Sequence, residues 1–346
     1  MLHLIVLGIV SLALLPTEAS SLTRRSGRGG CDKSHRPGFS SNHKLESGGR
    51  NRLYAVNVPD NYNDCDQAKW PLIIDYHGNR GNPKQQWNNS LYYKYPQGQE
   101  YLVVYPQGVN GSWQGPTYAV AGVDDLQFTT DLVVRLQEEY CIDTNRLYAS
   151  GKSNGGGFVD TLACSDHGDQ FAAFAIAAAA LYTDTSKGSC TKKRAILESH
   201  GLADATIPYH PNGKSGAGGP LPGIDEWVSW WAYRNCGDLY SESARSFSGY
   251  NKTMYSCNGL EDVVQHYQVF DLGHCWPNSR SDNYDASSAL DQSKRKCLNR
   301  SLDFTPVVLN FFSRWTIERA RQLERRSAAD LGRSVALNIH HVGDCM

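Results

Sequence analysis

The chain lacks a surplus of charge of either sign. Its 34 Lys and Arg stand against 35 Asp and Glu, a formal net charge of −1 over 346 residues. That balance gives no electrostatic reason to expect nucleic acid or an anionic membrane as a partner. Basic patches occur only near each end. Cys-x-x-Cys pairs are also absent, which argues against a zinc site or a redox motif of that kind. After Leu15 no apolar run approaches the length that crosses a bilayer. No internal repeat is visible, so solenoid and propeller architectures are not indicated.

What is present is enough to fold. A chain of 346 residues, 40% of them hydrophobic, makes one large domain with a substantial core, or two small ones. Residues 2–15 are nearly all apolar, His3 is the only basic side chain among them, and Thr17-Glu18-Ala19 follows with small residues. This is the form of a secretory signal over 1–19, too short for a comfortable membrane span. Ten cysteines fit an oxidising export route, because an even number can pair completely. Spacing alone does not fix the pairing; the expected bridges are Cys236 with Cys257 and Cys275 with Cys297. Sequons at Asn88, Asn110, Asn251 and Asn299 are expected to carry glycans on surface loops. The expected product is a secreted, soluble monomer.

Residues 20–50 are rich in Gly, Ser, Arg and Lys without apolar periodicity, and read as an extended lead-in tied down through Cys31. The body, 51–315, alternates two patterns. Strands are expected over 53–58, 71–76, 101–105, 146–150, 194–199 and 263–270, the central ones as short apolar runs buried on both faces. Another apolar run covers 171–180. Helical spacing appears over 124–140, where Leu126, Leu132, Val133, Leu136 and Tyr140 share a face, and again over 156–164, 224–234 and 306–314. Strands alternating with helices imply an α/β fold with a mainly parallel sheet covered on both sides. Residues 316–346 read as a peripheral extension with a charged, helix-compatible start.

The most informative stretch is Gly151-Lys152-Ser153-Asn154-Gly155, a G-x-S-x-G sequence between a strand and a helix. A sharp turn of that kind can hold a serine in a strained conformation with its hydroxyl above the sheet. A serine hydroxyl needs a base to become nucleophilic, and the base needs a carboxylate to orient it. In strand-turn-helix folds these follow in the order Ser, Asp or Glu, His, each on a loop after a strand. Asp204 directly follows the strand ending at Ser199, and His274 follows the strand ending near Phe270. Asp184 and Asp225 compete for the acid but follow no strand so clear. His167, His200, His210 and His266 fit the base less well. Two N–H donors are required for the oxyanion: that of Asn154, after the serine, and that of Asn79, in the loop His77-Gly78-Asn79-Arg80-Gly81. His77 reads as a structural hydrogen-bonding residue. The chain holds 8 Trp, 19 Tyr and 10 Phe, and Trp276, Trp113, Tyr118 and Tyr209 lie close enough to the motifs in sequence to be candidates for gripping a substrate ring. Trp227, Trp230 and Trp231 fall on a helical segment and read as core.

Tyr76-His77-Gly78-Asn79, Gly151-Lys152-Ser153-Asn154-Gly155-Gly156-Gly157, His200-Gly201-Leu202-Ala203-Asp204 and Leu272-Gly273-His274-Cys275-Trp276-Pro277 together resemble fungal feruloyl esterases. The likeness is to the secreted type C and D enzymes, related to carbohydrate esterase family 1 and to polyhydroxybutyrate depolymerase-like proteins. It covers residues 31–315. It implies an α/β-hydrolase fold and a triad of Ser153, Asp204 and His274. It also implies hydrolysis of feruloylated plant cell-wall polysaccharide such as arabinoxylan, with no metal or organic cofactor. Lys152 and Asn154 stand where the tannase-like branch would carry a cysteine beside the serine, which argues against that branch. Acetyl xylan, an aliphatic polyester, a peptide, or carbohydrate binding without catalysis are the rival readings.

Overall fold

A computed structural model of the chain describes residues 29–64, 69–182, 189–211, 215–216, 218–257, 259–279 and 301–324. The expected signal over 1–19, Asn299, Cys65, Cys297, Cys345 and Asp184 lie outside these residues, as does 325–346.

The strands are β1 (Gly38–Ser47), β2 (Arg50–Val58), β3 (Trp70–Tyr76), β4 (Leu102–Pro106), β5 (Ile142–Lys152), β6 (Ala173–Ala177), β7 (Ile196–Gly201), β8 (Ser215–Gly216), β9 (Gly219–Pro220), β10 (Ser241–Phe247), β11 (Tyr250–Cys257) and β12 (Leu260–Val269). The helices are α1 (Pro83–Ser90), α2 (Asp125–Glu139), α3 (Asn154–Ala163), α4 (Ile224–Cys236) and α5 (Phe304–Ser313). Ten strands form one sheet in the order β1-β2-β4-β3-β5-β6-β7-β12-β11-β10, and β8 pairs only with β9. From β4 to β12 all neighbours are parallel, whereas hairpins close both edges in antiparallel fashion. This is the mainly parallel sheet expected from the alternating pattern.

The central strands are wholly buried: β3, β4, β6 and β7 expose no residue. Helices on both faces leave no solvent side for such strands, which is why they read as continuous apolar runs. Helix α2 starts at Asp124, whose side chain accepts the Gln127 N–H at 2.9 Å, a standard N-cap. Its Leu132, Val133 and Leu136 are buried, as the spacing predicts.

Two expectations need correction. The lead-in over 20–50 does not stand apart from the domain, because β1 lies within it and pairs with β2 from Gly38–Val58 to Ser47–Arg50. The catalytic body therefore begins before residue 51. The C-terminal extension is not wholly peripheral either: after the buried Trp315, a helical segment over 317–324 packs back and buries Leu323. Bridges join Cys31 to Cys141, Cys164 to Cys190 and Cys236 to Cys257. The last is the expected pair; Cys275 is also disulfide-bonded. Among the described residues no helix is long and apolar enough to cross a membrane, and no group of three or more His, Cys, Asp or Glu could hold a metal ion.

Candidate active site

Strand β5 ends at Lys152 and α3 begins at Asn154, so Ser153 is the single residue of the turn. Its backbone has φ 57° and ψ −123°, a conformation that costs energy for any residue but glycine. The flanking glycines make the turn feasible. A Cβ on Gly155 would stand 2.2 Å from the Tyr76 carbonyl oxygen and 2.5 Å from that of His77, so α3 can approach the end of β3 only without a side chain there. Gly155→Ala is expected to destabilise the fold by about 3 kcal/mol, the upper range for overpacking, and to displace the loop after β3. Thermal unfolding measures this, and an unchanged midpoint would contradict the close approach.

Three side chains far apart in sequence converge at this turn. His274 Nε2 lies 2.7 Å from Ser153 Oγ, and His274 Nδ1 lies 2.8 Å from Asp204 Oδ2. Asp204 sits just past β7 and His274 just past β12; the two strands are adjacent and parallel, so both loops leave the same edge of the sheet. Asp204 Oδ1 accepts the backbone N–H groups of Thr206 and Ile207 at 2.9 and 2.8 Å. With all four bonds in place, Nδ1 of His274 is the donor to Asp204, which leaves Nε2 to accept from Ser153. Burial alone would raise the Asp204 carboxyl, but the charge of His274 and the hydrogen bonds from His200 and His274 hold it well below the usual carboxylate range. Asp204 therefore faces His274 as a carboxylate.

The loop after β3 is fixed from several sides. His77 Nδ1 donates to the Gly78 carbonyl at 2.7 Å and its Nε2 accepts the Gly108 N–H at 3.0 Å. Both ring nitrogens are thus engaged in holding backbone. Asn79 Oδ1 accepts from Ser112 Oγ at 2.6 Å. The Asn154 side chain accepts the Trp113 N–H at 2.8 Å and donates to the Trp113 carbonyl at 3.2 Å. These bonds lock the serine turn to the 108–114 loop, which Asp125 anchors in turn through the Gln114 N–H at 2.7 Å and Arg52 at 2.6 Å. The Asn154 amide is the first of α3 and has no intrahelical acceptor.

No family model matches the chain. Similarity to individual proteins is clearer. The bifunctional acetylxylan esterase/xylanase XynS20E of Neocallimastix patriciarum is 31% identical over 139 residues, 40% of this chain and 20% of that protein. A probable feruloyl esterase C of Aspergillus clavatus is 26% identical over 209 residues, 59% of this chain and 70% of that one. Feruloyl esterase D of Neurospora crassa is 28% identical over 170 residues, 46% of this chain and 55% of that one. The chain therefore spans less than two thirds of the first and third of these relatives. Among solved structures, an acetyl xylan esterase from Aspergillus awamori superposes with a TM-score of 0.50 at 15% identity, over 68% of this chain and 94% of that one. At such identity the superposition speaks for the fold. The chain has an α/β-hydrolase fold and is similar in sequence to fungal feruloyl esterases.

Within this hydrolase fold the candidate aromatics separate. Trp113 has no exposed surface, donates its indole N–H to the His77 carbonyl at 2.9 Å and stacks on Phe158. Trp276 is likewise sealed, donating to Thr305 Oγ1 at 2.9 Å and packing against Phe304. Tyr209 is buried with its hydroxyl against His266 and Asp225. These three are supports and not ring-gripping surfaces; nearness in sequence to a motif does not say which way a side chain points. Tyr118 is the exception. It is only half-buried and meets Tyr182 edge-on at 6.1 Å. Tyr182 closely follows Ala180, whose N–H donates to the Ser153 carbonyl at 2.9 Å. Tyr182 carried no signal in the sequence.

The competing groups also find places. Asp225, at the start of α4, faces Tyr209 and not His274. His167 bonds to Thr130 Oγ1 at 2.8 Å, and His210 packs against Tyr209. His200 and His266 join Glu198 in a buried row directly behind Asp204. Sequence reasoning considered both histidines only as alternatives to His274 and left Glu198 out. The trace was there: in β7, Glu198 and His200 are ionisable residues two apart on one face of a wholly buried strand.

Of the described sequons, Asn88 and Asn110 are exposed and Asn251 is half-buried, its amide bonded to Gln268 at 3.0 Å.

Proposed function

We propose that the chain is a secreted serine esterase that hydrolyses feruloyl and related hydroxycinnamoyl esters of plant cell-wall polysaccharide such as arabinoxylan, releasing ferulate. The reaction type rests on one observation, the unbroken hydrogen-bonded line from Asp204 through His274 to Ser153 Oγ. Ser153 Oγ attacks the ester carbonyl while His274 Nε2 takes its proton, and Asp204 stabilises the imidazolium. The N–H groups of Asn154 and Asn79 receive the oxyanion. Collapse breaks the ester C–O bond, and His274 returns the proton to the departing sugar alcohol. Water then attacks the feruloyl-enzyme with His274 again as base, and ferulate leaves.

Sequence likeness to proteins named feruloyl esterase supports the substrate class, and the half-buried Tyr118–Tyr182 pair suits a phenolic ring. Paired cysteines support an oxidising destination. A second reading, removal of acetyl groups from xylan, draws on the relative named an acetylxylan esterase/xylanase. Assays on methyl ferulate, acetylated xylan and a peptide distinguish these readings. Ferulate release is expected. Acetate release alone would favour the second reading, and peptide cleavage alone would overturn both.

A further inference from the structure

His200 is the penultimate residue of β7 and is completely buried. Every polar atom in hydrogen-bonding range of its ring is an acceptor. Nδ1 lies 3.1 Å from Glu198 Oε1, and Nε2 lies 2.8 Å from the Ile207 carbonyl and 3.4 Å from Asp204 Oδ2. A neutral imidazole has one N–H and one lone pair. Either neutral tautomer would aim that lone pair at a carboxylate or a carbonyl with water excluded. Only the imidazolium donates from both nitrogens. Behind it, Glu198 is also completely buried and gives its second oxygen to His266 Nδ1 at 2.6 Å. His266 Nε2 lies 2.6 Å from the Tyr209 hydroxyl, which meets Asp225 at the surface. The Tyr209 ring also lies edge-on to His200.

We propose that His200 is a positioning residue held as a permanent buried cation, with Glu198 as its counter-ion, that orients the Asp204 carboxylate and moderates the negative charge His274 faces. The proposal rests on the serine-hydrolase reading of the Ser153 site. Burial works against a charge on His200, but hydrogen bonds to Asp204 and Glu198 and their charges outweigh it and push the group up to about 10. Glu198 is lowered despite its burial, by hydrogen bonds from and the charges of His200 and His266. Asp204 therefore meets His274 on one side and a cation on the other. Removing that cation would let the whole carboxylate charge stabilise a protonated triad. Neighbouring charges of this kind move a titration by about 1 to 3 units.

Two measurements on the full chain test this. The first is NMR of 15N-histidine-labelled protein, with His200 assigned through its backbone neighbours in the wild type. At pH 8 both ring nitrogens of His200 are expected to be protonated, with no titration between pH 6 and 8.5. A single ring proton at pH 8 would overturn the proposal. This readout needs no turnover, so it stands even if the chain hydrolyses no ester. In Glu198→Gln the second proton is expected to be lost by neutral pH; its retention would remove Glu198 as counter-ion.

The second is the pH dependence of kcat/KM on 4-nitrophenyl acetate for the wild type and His200→Gln, which keeps an N–H donor without the charge. The acid limb is expected to move up by about one pH unit, so that activity at pH 6 falls about tenfold relative to pH 8. A merely structural His200 would lower the unfolding midpoint and leave the acid limb in place, and that result would overturn its action through Asp204.

Discussion

Ser153→Ala is expected to lower kcat on methyl ferulate by on the order of 10⁵-fold while leaving KM and the unfolding midpoint nearly unchanged. The substitution removes one oxygen from a residue whose backbone already occupies the strained turn, and alanine adds no new strain there. What it deletes is the atom 2.7 Å from His274 Nε2. The backbone donors at Asn79 and Asn154 remain, so a residual rate above that in water is expected. Steady-state kinetics on purified protein decide the matter. Retention of more than about a tenth of the wild-type kcat would place the nucleophile elsewhere. A large fall in the unfolding midpoint would instead give Ser153 a structural part.

Asp204→Asn should cost kcat about 10⁴-fold, the fall seen when the carboxylate of such a triad becomes an amide. Here the reason is specific. One Asp204 oxygen accepts two backbone N–H groups, and the other accepts from His274 and lies 3.4 Å from His200 Nε2. An amide has one oxygen and one NH2, so one of these two sets must meet a donor. If the oxygen stays with Thr206 and Ile207, the NH2 faces His274 Nδ1 and forces the tautomer in which Nε2 carries the proton. That tautomer cannot accept from Ser153. If the amide flips, two backbone donors are left buried against an NH2, which costs stability. The two outcomes separate in the data: the first lowers kcat without moving the unfolding midpoint, the second lowers both. An asparagine variant with wild-type kcat would remove Asp204 from the mechanism.

The parts of the fold that sequence reasoning recovered are those held by burial. Strands β3, β4 and β7 announce themselves because helices cover both of their faces, and α2 because its buried positions recur with helical spacing. The edges did not. Strand β10, Ser-Glu-Ser-Ala-Arg-Ser-Phe, is exposed along its whole length and is held by backbone pairing to β11. Such pairing leaves no apolar signature. Strand β1 escaped detection for the same reason, with most of its side chains in solvent or half-buried. Helix α1 was also missed: its mostly polar sequence begins with an Asn82 cap and a proline at N1, two signals that short-range reading could have used.

By itself the sequence determined the order of the candidate triad: a serine in a glycine-flanked turn, then an aspartate and a histidine, each after its own strand. Those inferences are local, because a turn's steric demands and a strand's apolar run are written in consecutive residues. Only the tertiary structure decided what surrounds each group. It turned Trp113, Trp276 and Tyr209 inward, paired Tyr118 with Tyr182, and set His200 between Asp204 and Glu198. Side-chain direction and the sign of a buried charge depend on neighbours brought from distant parts of the chain, and no stretch of consecutive residues records them.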